Sequence, residues 1–224
     1  MSVSVIIPTL NEAERIAETI VSLRSQSPRE IIVADGGSSD ETVERAHTAD
    51  VVIRAPRGRA AQMNAGAAQA RGENLLFLHA DCTLGEGAIA AADRVLAHQR
   101  VIAGCFTIRV AASGIAFRCI NAAATARVRL TGIAYGDQGL FLRRADFERL
   151  GGFPPLRFME DVFFSRKLVR EGRIVVLPQP IHVSPRRWQR AGIVRQTLRN
   201  WMLTALAMVG VSPDRLAGRY PVAR

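Results

Sequence analysis

The sequence predicts an α/β fold in which helices flank a mainly parallel, mixed sheet. Along the first hundred residues, short β-branched runs alternate with segments of helical periodicity, which is typical of parallel strands joined by right-handed crossovers. In addition, only His79 and Asp81 interrupt the apolar run Asn74–Cys82, as expected of a buried central strand that ends at a polar edge.

The composition is that of one domain covering residues 1–224. The chain is 48% hydrophobic, which suits a packed core, and no change in composition suggests a linker. No stretch approaches the roughly 18 apolar residues of a spanning helix, and the N-terminus enters the first strand without a basic, cleavable leader. We therefore expect a cytoplasmic protein. Three cysteines without a Cys-x-x-Cys pair disfavour zinc and a disulfide framework.

The formal net charge of +10 favours a polyanionic partner, unless the basic surface is merely solvated. Nucleic acid, an anionic membrane surface and a diphosphate substrate all carry the required charge. Much of the excess is arginine in the last forty residues, and arginine binds phosphate through a planar fork. The sequence has neither interleaved aromatic residues nor a recognition-helix motif, so we expect no nucleic acid.

The first half consists of short strands, each followed by a helix. The strands are predicted at Val3–Ile7, Glu30–Ala34 and Val51–Ile53. Pro8 is expected to end the first strand. Asn11 with Glu14, and Ser38 with Glu41, match the capping-box pattern, so helices are expected to begin there. Ile16, Ile20 and Leu23 recur at helical spacing and predict a buried face. Alanine-rich helices follow Arg57 and Gly87.

The second half is less regular. The elements predicted there are a strand at Val101–Val110 on the mixed edge of the sheet, helices at Ile115–Leu130 and Ala145–Leu150, a helix beginning at Glu160, and a strand at Arg173–Leu177 broken by Pro178 and Pro180. Phe163, Phe164 and Leu168 are expected to form the buried stripe of the helix after Glu160.

The last predicted helix begins at Gly192 and follows a basic, aromatic loop from His182 to Trp188. Its apolar side is expected to consist of Val194, Leu198, Trp201, Ala205 and Val209, with Arg195 and Arg199 opposite. Such a helix either docks on the body of the protein through its apolar side or lies on a membrane surface.

Two pairs of residues are candidates for catalysis or ligand binding, namely His79 with Asp81 and Glu160 with Asp161. In an extended chain His79 and Asp81 lie on the same face, and a carboxylate beside an imidazole suits a divalent cation or a phosphate-bearing substrate. Alternatively, Asp81 caps a helix and His79 is a core histidine. Glu160 and Asp161 begin a helix, where the macrodipole favours acidic residues whether or not they are catalytic.

The first hundred residues are Rossmann-like in their alternation but lack the usual phosphate-binding fingerprints. No Gly-x-Gly-x-x-Gly follows a strand, and no Gly-Lys-Ser/Thr is present. The dinucleotide-binding and P-loop classes are therefore disfavoured.

Several motifs occur together and in a fixed order. They are Val-Ile-Ile-Pro-Thr-Leu-Asn-Glu12, Ala34-Asp-Gly-Gly-Ser-Ser-Asp40, Asn64-Ala-Gly66, Phe77-Leu-His-Ala-Asp81, the pair Glu160-Asp161, and Ser-Pro-Arg-Arg-Trp188. This set resembles the family 2 glycosyltransferases, which have the GT-A fold of nucleotide-diphosphate-sugar transferases. The resemblance implies a nucleotide-sugar-binding half (1–100), an acceptor half (101–188), and a C-terminal amphipathic helix and tail (189–224).

The resemblance also implies roles for individual residues. Asp161 is expected to be the general base and Glu160 its partner, with Asp81 as the ligand of Mg²⁺ or Mn²⁺. Residues expected to contact the nucleotide sugar or the acceptor are Pro8, Thr9, Asn11, Glu12, Asp35, Arg59, Asn64, His79, Asp137, Arg187 and Trp188. The expected activity is inverting, non-processive sugar transfer from a UDP-linked donor to a hydroxyl acceptor.

The chain departs from the family pattern at two positions. His79 stands where the family has the first carboxylate of Asp-x-Asp, and Ser184 stands where processive members have glutamine. The narrower resemblance is to a small bacterial subgroup linked to radical-SAM genes and arsenosugar synthesis. Trp188 suits either sugar stacking or the core, and His182 suits either the metal or a plain loop. A sugar-phosphate nucleotidyltransferase, a basic nucleic-acid-binding module and a non-catalytic relative remain alternatives.

Overall fold

The computed structural model describes residues 2–208 and 211, without the side chains of residues 187, 190, 191 and 208. The strands in this part are β1 Val3–Thr9, β2 Glu30–Asp35, β3 Val51–Arg54, β4 Asn74–Phe77, β5 Cys82–Leu84, β6 Val101–Val110, β7 Phe141–Arg143 and β8 Arg173–Val183. The helices are α1 Ile16–Arg24, α2 Thr42–Arg45, α3 Arg59–Gln69, α4 Ala88–Leu96, α5 Ile115–Thr131, α6 Arg144–Arg149, α7 Glu160–Glu171, α8 Arg186–Ala191 and α9 Ile193–Met208, with a 3₁₀ turn at Gly136–Gln138.

All the strands join one mixed sheet in the order β3-β2-β1-β4-β7-β6-β8-β5. The pairs β1–β2, β1–β4, β2–β3 and β6–β8 are parallel, and β7 and β5 pair antiparallel to their neighbours. The α/β prediction is therefore confirmed. The placement of Val101–Val110 at the edge is wrong, because β6 lies between β7 and β8 and the edge strands are β3 and β5.

Both predicted proline breaks are wrong. The strand β1 continues through Pro8, which pairs with Ala34 of β2. The missing N–H of Pro8 costs little, because it faces the side of β1 where pairing with β4 has already stopped at Ile6. The strand β8 also continues, because its register against β6 jumps from Leu177 to Pro180 in a bulge that accommodates the prolines.

The predicted capping boxes are wrong as well. Helix α1 begins at Ile16 without a side-chain cap. The side-chain oxygen of Asn11 instead accepts the N–H of Ser39, so Asn11 ties two loops together. At α2, Asp40 rather than Ser38 accepts the N–H of Thr42. Because Ser and Asn bond loop backbone as readily as helix ends, spacing alone could not separate these uses.

Two apolar layers cover the two faces of the sheet. One contains the predicted stripe of α1, namely Ile16, Ile20 and Leu23, and the other contains Phe164 and Leu168 of α7. Phe163 is only half-buried and belongs with a third cluster. Within the second layer α3 approaches β1 so closely that a Cβ on Gly66 would lie 2.5 Å from the Cγ2 of Ile6. The glycine of the Asn-Ala-Gly motif is therefore required by packing.

Helix α9 docks on the body, but not through the predicted face. Leu203 and Ala207 are buried against Ile133, Met159 and Val162. Members of the predicted apolar side are exposed instead, namely Val194, Leu198 and Trp201, and Val209 lies outside the described residues. Among the described helices, none combines the length and the apolar character needed to cross a bilayer.

Candidate active site

The site lies where parallel strands end side by side. Thr9 at the end of β1 pairs with Asp35 at the end of β2, and β4 ends on the other side of β1. From β1 the chain order runs outward to β2 and β3 in one direction and to β4 in the other. Ligands of open α/β sheets bind at such a switch point, beyond the carboxyl ends of the strands.

The loop after β2 is built around the carboxylate of Asp35. This side chain is 1% exposed, and it accepts the backbone N–H groups of Gly37 and Ser38 at 2.9 Å and the Ser38 hydroxyl at 2.5 Å. The N–H of Asn11 in turn donates to the Ser38 hydroxyl. Asp35 therefore shapes the loop, and its predicted hydrogen bond with a nucleotide base stays a prediction.

The metal-side turn follows β4. The strand ends at Phe77, so His79 and Asp81 lie in a turn rather than in the predicted strand. Their side chains nevertheless converge, because one ligand atom from each of His79, Asp81 and Cys82 lies within 4.8 Å of the others. The turn is anchored from α1, where the Thr19 hydroxyl donates to the carbonyl of Ala80 at 2.7 Å.

This donor set fits a divalent cation. A carboxylate suits Mg²⁺ and Mn²⁺ alike, whereas an imidazole suits transition metals better than Mg²⁺. His79 and Asp81 together therefore favour Mn²⁺ of the two ions. Cys82 is buried and its thiol donates to the Asp81 carboxylate at 3.8 Å. His182 is exposed and is not one of the three converging side chains.

Arg186 brings a positive charge to the metal-side turn. Its guanidinium lies 3.5 Å from the Asp81 carboxylate and 3.4 Å from that of Glu12. These three residues come from widely separated parts of the sequence, and α8 carries the arginine to the other two. The arginine predicted from the sequence is the neighbouring Arg187, whose side chain lies outside the described residues.

The opposite wall is the start of α7. Met159, at φ +63°, precedes the helix in the left-handed region. The carboxylate of Asp161 accepts the N–H of Gly136 at 2.5 Å and that of Val162 at 2.7 Å. Glu160 is 2% exposed and pairs with Arg59 of α3 at 3.2 Å. The two acidic neighbours thus point to different partners, one to the 3₁₀ turn and the other to an arginine.

Glu160 is held in an unusual electrostatic environment. Burial raises its pKa above the ordinary value of 4.5, Arg59 opposes this rise, and the neighbouring Asp161 adds to it. A buried carboxylate is tolerated only when it is paired. The pairing also fixes Arg59, whose own side chain is about one-third exposed.

A pH series tests this environment. The folded protein binds the Glu160 proton more tightly than the unfolded chain does, so this group lowers stability as pH rises from about 4.5 to the raised pKa. Relative to Glu160→Gln, the free energy of unfolding of the wild type should therefore fall across that interval. Urea unfolding of both proteins at several pH values from 4 upward measures the difference. If the wild type instead gained stability over the variant as pH rises, the effect of Arg59 on the pKa of Glu160 would outweigh that of burial.

One cavity of about 80 Å³ joins the two walls. It is lined by His79 from the metal-side turn, Asp161 from α7, Arg59 from α3, and the 3₁₀ residues Gly136 and Asp137. A Cβ on Gly136 would lie 2.9 Å from the His79 Nε2 and 3.2 Å from an Asp161 carboxylate oxygen. Both groups therefore flank the same glycine.

Gly136→Ala should impair the site without unfolding the protein. Gly136 is not among the positive-φ residues, so its backbone tolerates alanine, and the nearest contacts of the added methyl group are the two site side chains. A displacement of this kind costs on the order of 10²-fold in rate. We expect that loss in turnover with a melting temperature within about 2 °C of the wild type. Turnover and thermal unfolding of the same samples measure both, and unchanged turnover would contradict the geometry.

Some predicted site residues lie elsewhere. Asn64 exchanges two hydrogen bonds with the backbone of Phe153, at 2.9 and 3.0 Å, and so fastens α3 to the segment before α7. Trp188 is 8% exposed, packs edge-on against Phe117, and donates to the Thr197 hydroxyl. These contacts give both residues structural roles, and their predicted contacts with substrate stay predictions. Pro8 and Thr9 lie buried at the end of β1.

Sequence reasoning missed several residues of the site. Tyr135, Asn200 and Thr204 also line the cavity, and the Tyr135 hydroxyl lies 2.7 Å from that of Thr204. Buried Gln62 donates to the carbonyls of Thr9 and Ala34, at 2.7 and 2.9 Å, and so ties the ends of β1 and β2 together. Nothing in the sequence distinguishes Gln62 from Gln69 of the same alanine-rich helix. The α9 residues were missed because the predicted buried face of that helix was wrong.

Solved structures with a similar fold are glycosyltransferases. A mannosyltransferase from Pyrobaculum calidifontis, solved with GDP-Man and Mn²⁺, matches with a TM-score of 0.68 and 24% identity over 95% of this chain and 66% of that one. Residues 1–349 of S. aureus TarS match with a TM-score of 0.65 and 23% identity over 83% and 61%. The fold is therefore the GT-A fold of nucleotide-sugar transferases.

The sequence comparisons specify the family. The family model described as glycosyl transferase family 2 matches residues 4–144, and the chain belongs to this family. Glycosyltransferase AglE of Haloferax volcanii is 38% identical over 93 residues, which are 36% of this chain and 31% of AglE. The chain thus spans less than a third of AglE and about three-fifths of the TarS fragment.

Proposed function

We propose that the protein is an inverting, metal-dependent glycosyltransferase that moves one sugar from a UDP-linked donor to an acceptor hydroxyl. The observation that carries this proposal is the shared cavity, in which His79 of the metal-side turn and Asp161 of α7 flank Gly136. A cation-binding turn and a carboxylate base on opposite walls are what the displacement of a nucleotide from a sugar requires.

The donor side supplies positive charge for the diphosphate. Arg59 lines the cavity and is held there by Glu160, and Arg186 lies beside Asp81. Guanidinium groups stay charged and bind phosphate oxygens through two parallel N–H groups. A divalent cation held by Asp81 and His79 would neutralise the charge that builds up on the leaving diphosphate.

The acceptor side supplies the base. Asp161 takes the proton of the acceptor hydroxyl as that oxygen forms a bond to the anomeric carbon, while the bond from that carbon to the diphosphate oxygen breaks and the electron pair leaves with the nucleotide. A single displacement of this kind inverts the anomeric centre. Gly136 orients the base, since its N–H donates to one carboxylate oxygen of Asp161, which lines the cavity. Glu160 contributes by holding Arg59 in place at the cavity.

The finer assignments are part of the same proposal. The relatives in the comparison were solved with UDP, UDP-GlcNAc and GDP-Man, so they support a nucleotide sugar rather than one base. We assign UDP because a carboxylate at Asp35 suits uracil. Mn²⁺ accompanies the nucleotide in two relatives, which agrees with the His79–Asp81 donor pair. We also propose a cytoplasmic location and the radical-SAM-linked bacterial subgroup, on the sequence resemblance alone.

Ligand-induced stabilisation tests the proposal. A panel of UDP-, GDP- and dTDP-sugars, each with and without Mn²⁺, is screened by thermal unfolding. At about 100 times the dissociation constant a ligand adds about 2.7 kcal/mol, which for this chain length is roughly 5–10 °C. We expect such a shift for a UDP-sugar and only with Mn²⁺. No shift with any sugar nucleotide, with or without Mn²⁺, would contradict the proposed function.

A further inference from the structure

A second cavity lies between α5 and α9 and is mainly apolar. Its volume is about 440 Å³, within the range of roughly 300–1,000 Å³ typical of small-molecule sites. The apolar walls come from Ile108 of β6, Ile120 and Ala124 of α5, Trp188 of α8, and Trp201 and Ala205 of α9. The donor side described above uses none of these side chains.

This second cavity adjoins the catalytic one and shares part of its lining. Tyr135, Asp137, Asn200 and Thr204 line both. A hydroxyl placed at Asp161 would therefore leave the remainder of its molecule pointing past these four residues toward the apolar walls. In the proposed function the donor does not use this space, because its charged diphosphate is assigned to the arginines and the metal-side turn.

The polar groups at the junction are engaged with one another. The Arg127 guanidinium lies 3.2 Å from the centre of the Tyr135 ring and donates to the Gln138 side chain and the Ile133 carbonyl. The Tyr135 hydroxyl bonds that of Thr204. Most of these polar groups bond one another, although the Gln138 Nε2 has no hydrogen-bond partner among the described residues. The larger part of what the second cavity offers a ligand is apolar contact.

The outer end of the second cavity is open. Trp201 lines it and is 56% exposed. Leu198 and Met202, on the same helix, are exposed as well, at 57% and 53%. A ligand longer than the second cavity would continue along these exposed apolar side chains of α9.

We propose that the second cavity binds an apolar part of the acceptor, so that the acceptor is an alcohol carrying an alkyl or aromatic group close to its reacting hydroxyl. The assignment rests on the proposed function, because it takes Asp161 as the point at which the hydroxyl is held. It names a substrate class that the family membership leaves open.

Tryptophan fluorescence tests the proposal directly, because the two tryptophans of the chain both line the second cavity. The probes are methyl, butyl and hexyl β-glucoside, each an alcohol with an apolar tail of different length. We expect saturable fluorescence changes, with affinity rising about fourfold for each methylene that is buried. Affinity that does not depend on tail length would overturn the proposal.

Matched variants locate the binding. Ala123 of α5 lines the second cavity, whereas its neighbour Ala122 is exposed. Ala123→Leu should weaken hexyl glucoside binding at least tenfold and leave UDP–Mn²⁺ binding unchanged, and Ala122→Leu should change neither. Ala205→Leu also fills the second cavity, but from an exposed position on α9. It keeps the test valid if Ala123→Leu fails to fold. Equal affinities for hexyl glucoside in all these proteins would overturn the proposal. Equal partition of these proteins into anionic lipid vesicles, in place of saturable glucoside binding, would overturn it as well.

Failure of this inference can be told apart from failure of the proposed function. If the protein binds a sugar nucleotide with Mn²⁺ but shows no tail-length dependence, only the acceptor assignment is wrong. If tail-length dependence appears while no sugar nucleotide binds, the proposed function is wrong and the role as an acceptor site is overturned with it.

Discussion

Asp161→Asn is expected to lower turnover about 10³-fold while the donor still binds. General base catalysis contributes roughly 10²–10⁴-fold, and an amide cannot take the acceptor proton. The substitution preserves the shape of the side chain, and its amide oxygen still accepts the N–H of Gly136, so the wall of the cavity should stay in place. Release of UDP from the sugar nucleotide measures turnover, and the Mn²⁺-dependent thermal shift measures donor binding.

The matched control for this variant is Asp146→Asn. Asp146 pairs with Arg143 and Arg149 at α6 and does not line the catalytic cavity. It should turn over at the wild-type rate. If Asp161→Asn and Asp146→Asn were equally active, Asp161 would not be the base, and a turnover loss shared by both would point to a general effect of the substitution.

Asp81→Asn is expected to remove the metal dependence. The carboxylate is the hard, charged member of the donor set, and its replacement leaves His79 as the remaining ligand we assign. Because charge stabilisation by a bound metal is worth several kcal/mol, turnover should fall at least about 10²-fold. The thermal shift with UDP-sugar and Mn²⁺ should disappear, as followed by the same unfolding assay.

The two variants form a reciprocal pair. Asp161→Asn should keep the Mn²⁺-dependent thermal shift, and Asp81→Asn should lose it, although both are slow. The Asp81 substitution also removes one partner of Arg186, but that pair is 3.5 Å long and partly exposed, and such pairs contribute about 0–1 kcal/mol. A Mn²⁺-dependent shift that survives in Asp81→Asn would place the metal elsewhere.

Much of the fold follows from periodicity. Apolar spacing alone predicts the strand at Val101–Val110 and the buried stripe of α1. This works because the buried face of a helix or strand carries apolar residues at a regular spacing along the sequence. Prolines were misleading at β1 and β8. Whether a missing N–H matters depends on which neighbouring strand it faces, and that is a property of the tertiary structure.

The candidate site was predictable only in part. Asp161, Glu160, His79 and Arg59 stood out because charged residues next to buried strands or at helix starts are chemically conspicuous. Gly136, Tyr135 and Thr204 could not be found in this way, since their contribution is the position that the fold gives them. Helix α9 shows the same limit. The helix packs through Leu203 and Ala207, whereas Val194, Leu198 and Trp201 of the predicted apolar side lie at the surface.

A crystal structure with UDP and Mn²⁺, with the metal located by its anomalous scattering, tests the shared cavity most directly. The peak is predicted between the side chains of Asp81 and His79, with the diphosphate on the side of Gly136 that faces Asp161. A metal peak bound by other residues, or a nucleotide seated away from the cavity between the metal-side turn and α7, would contradict the account.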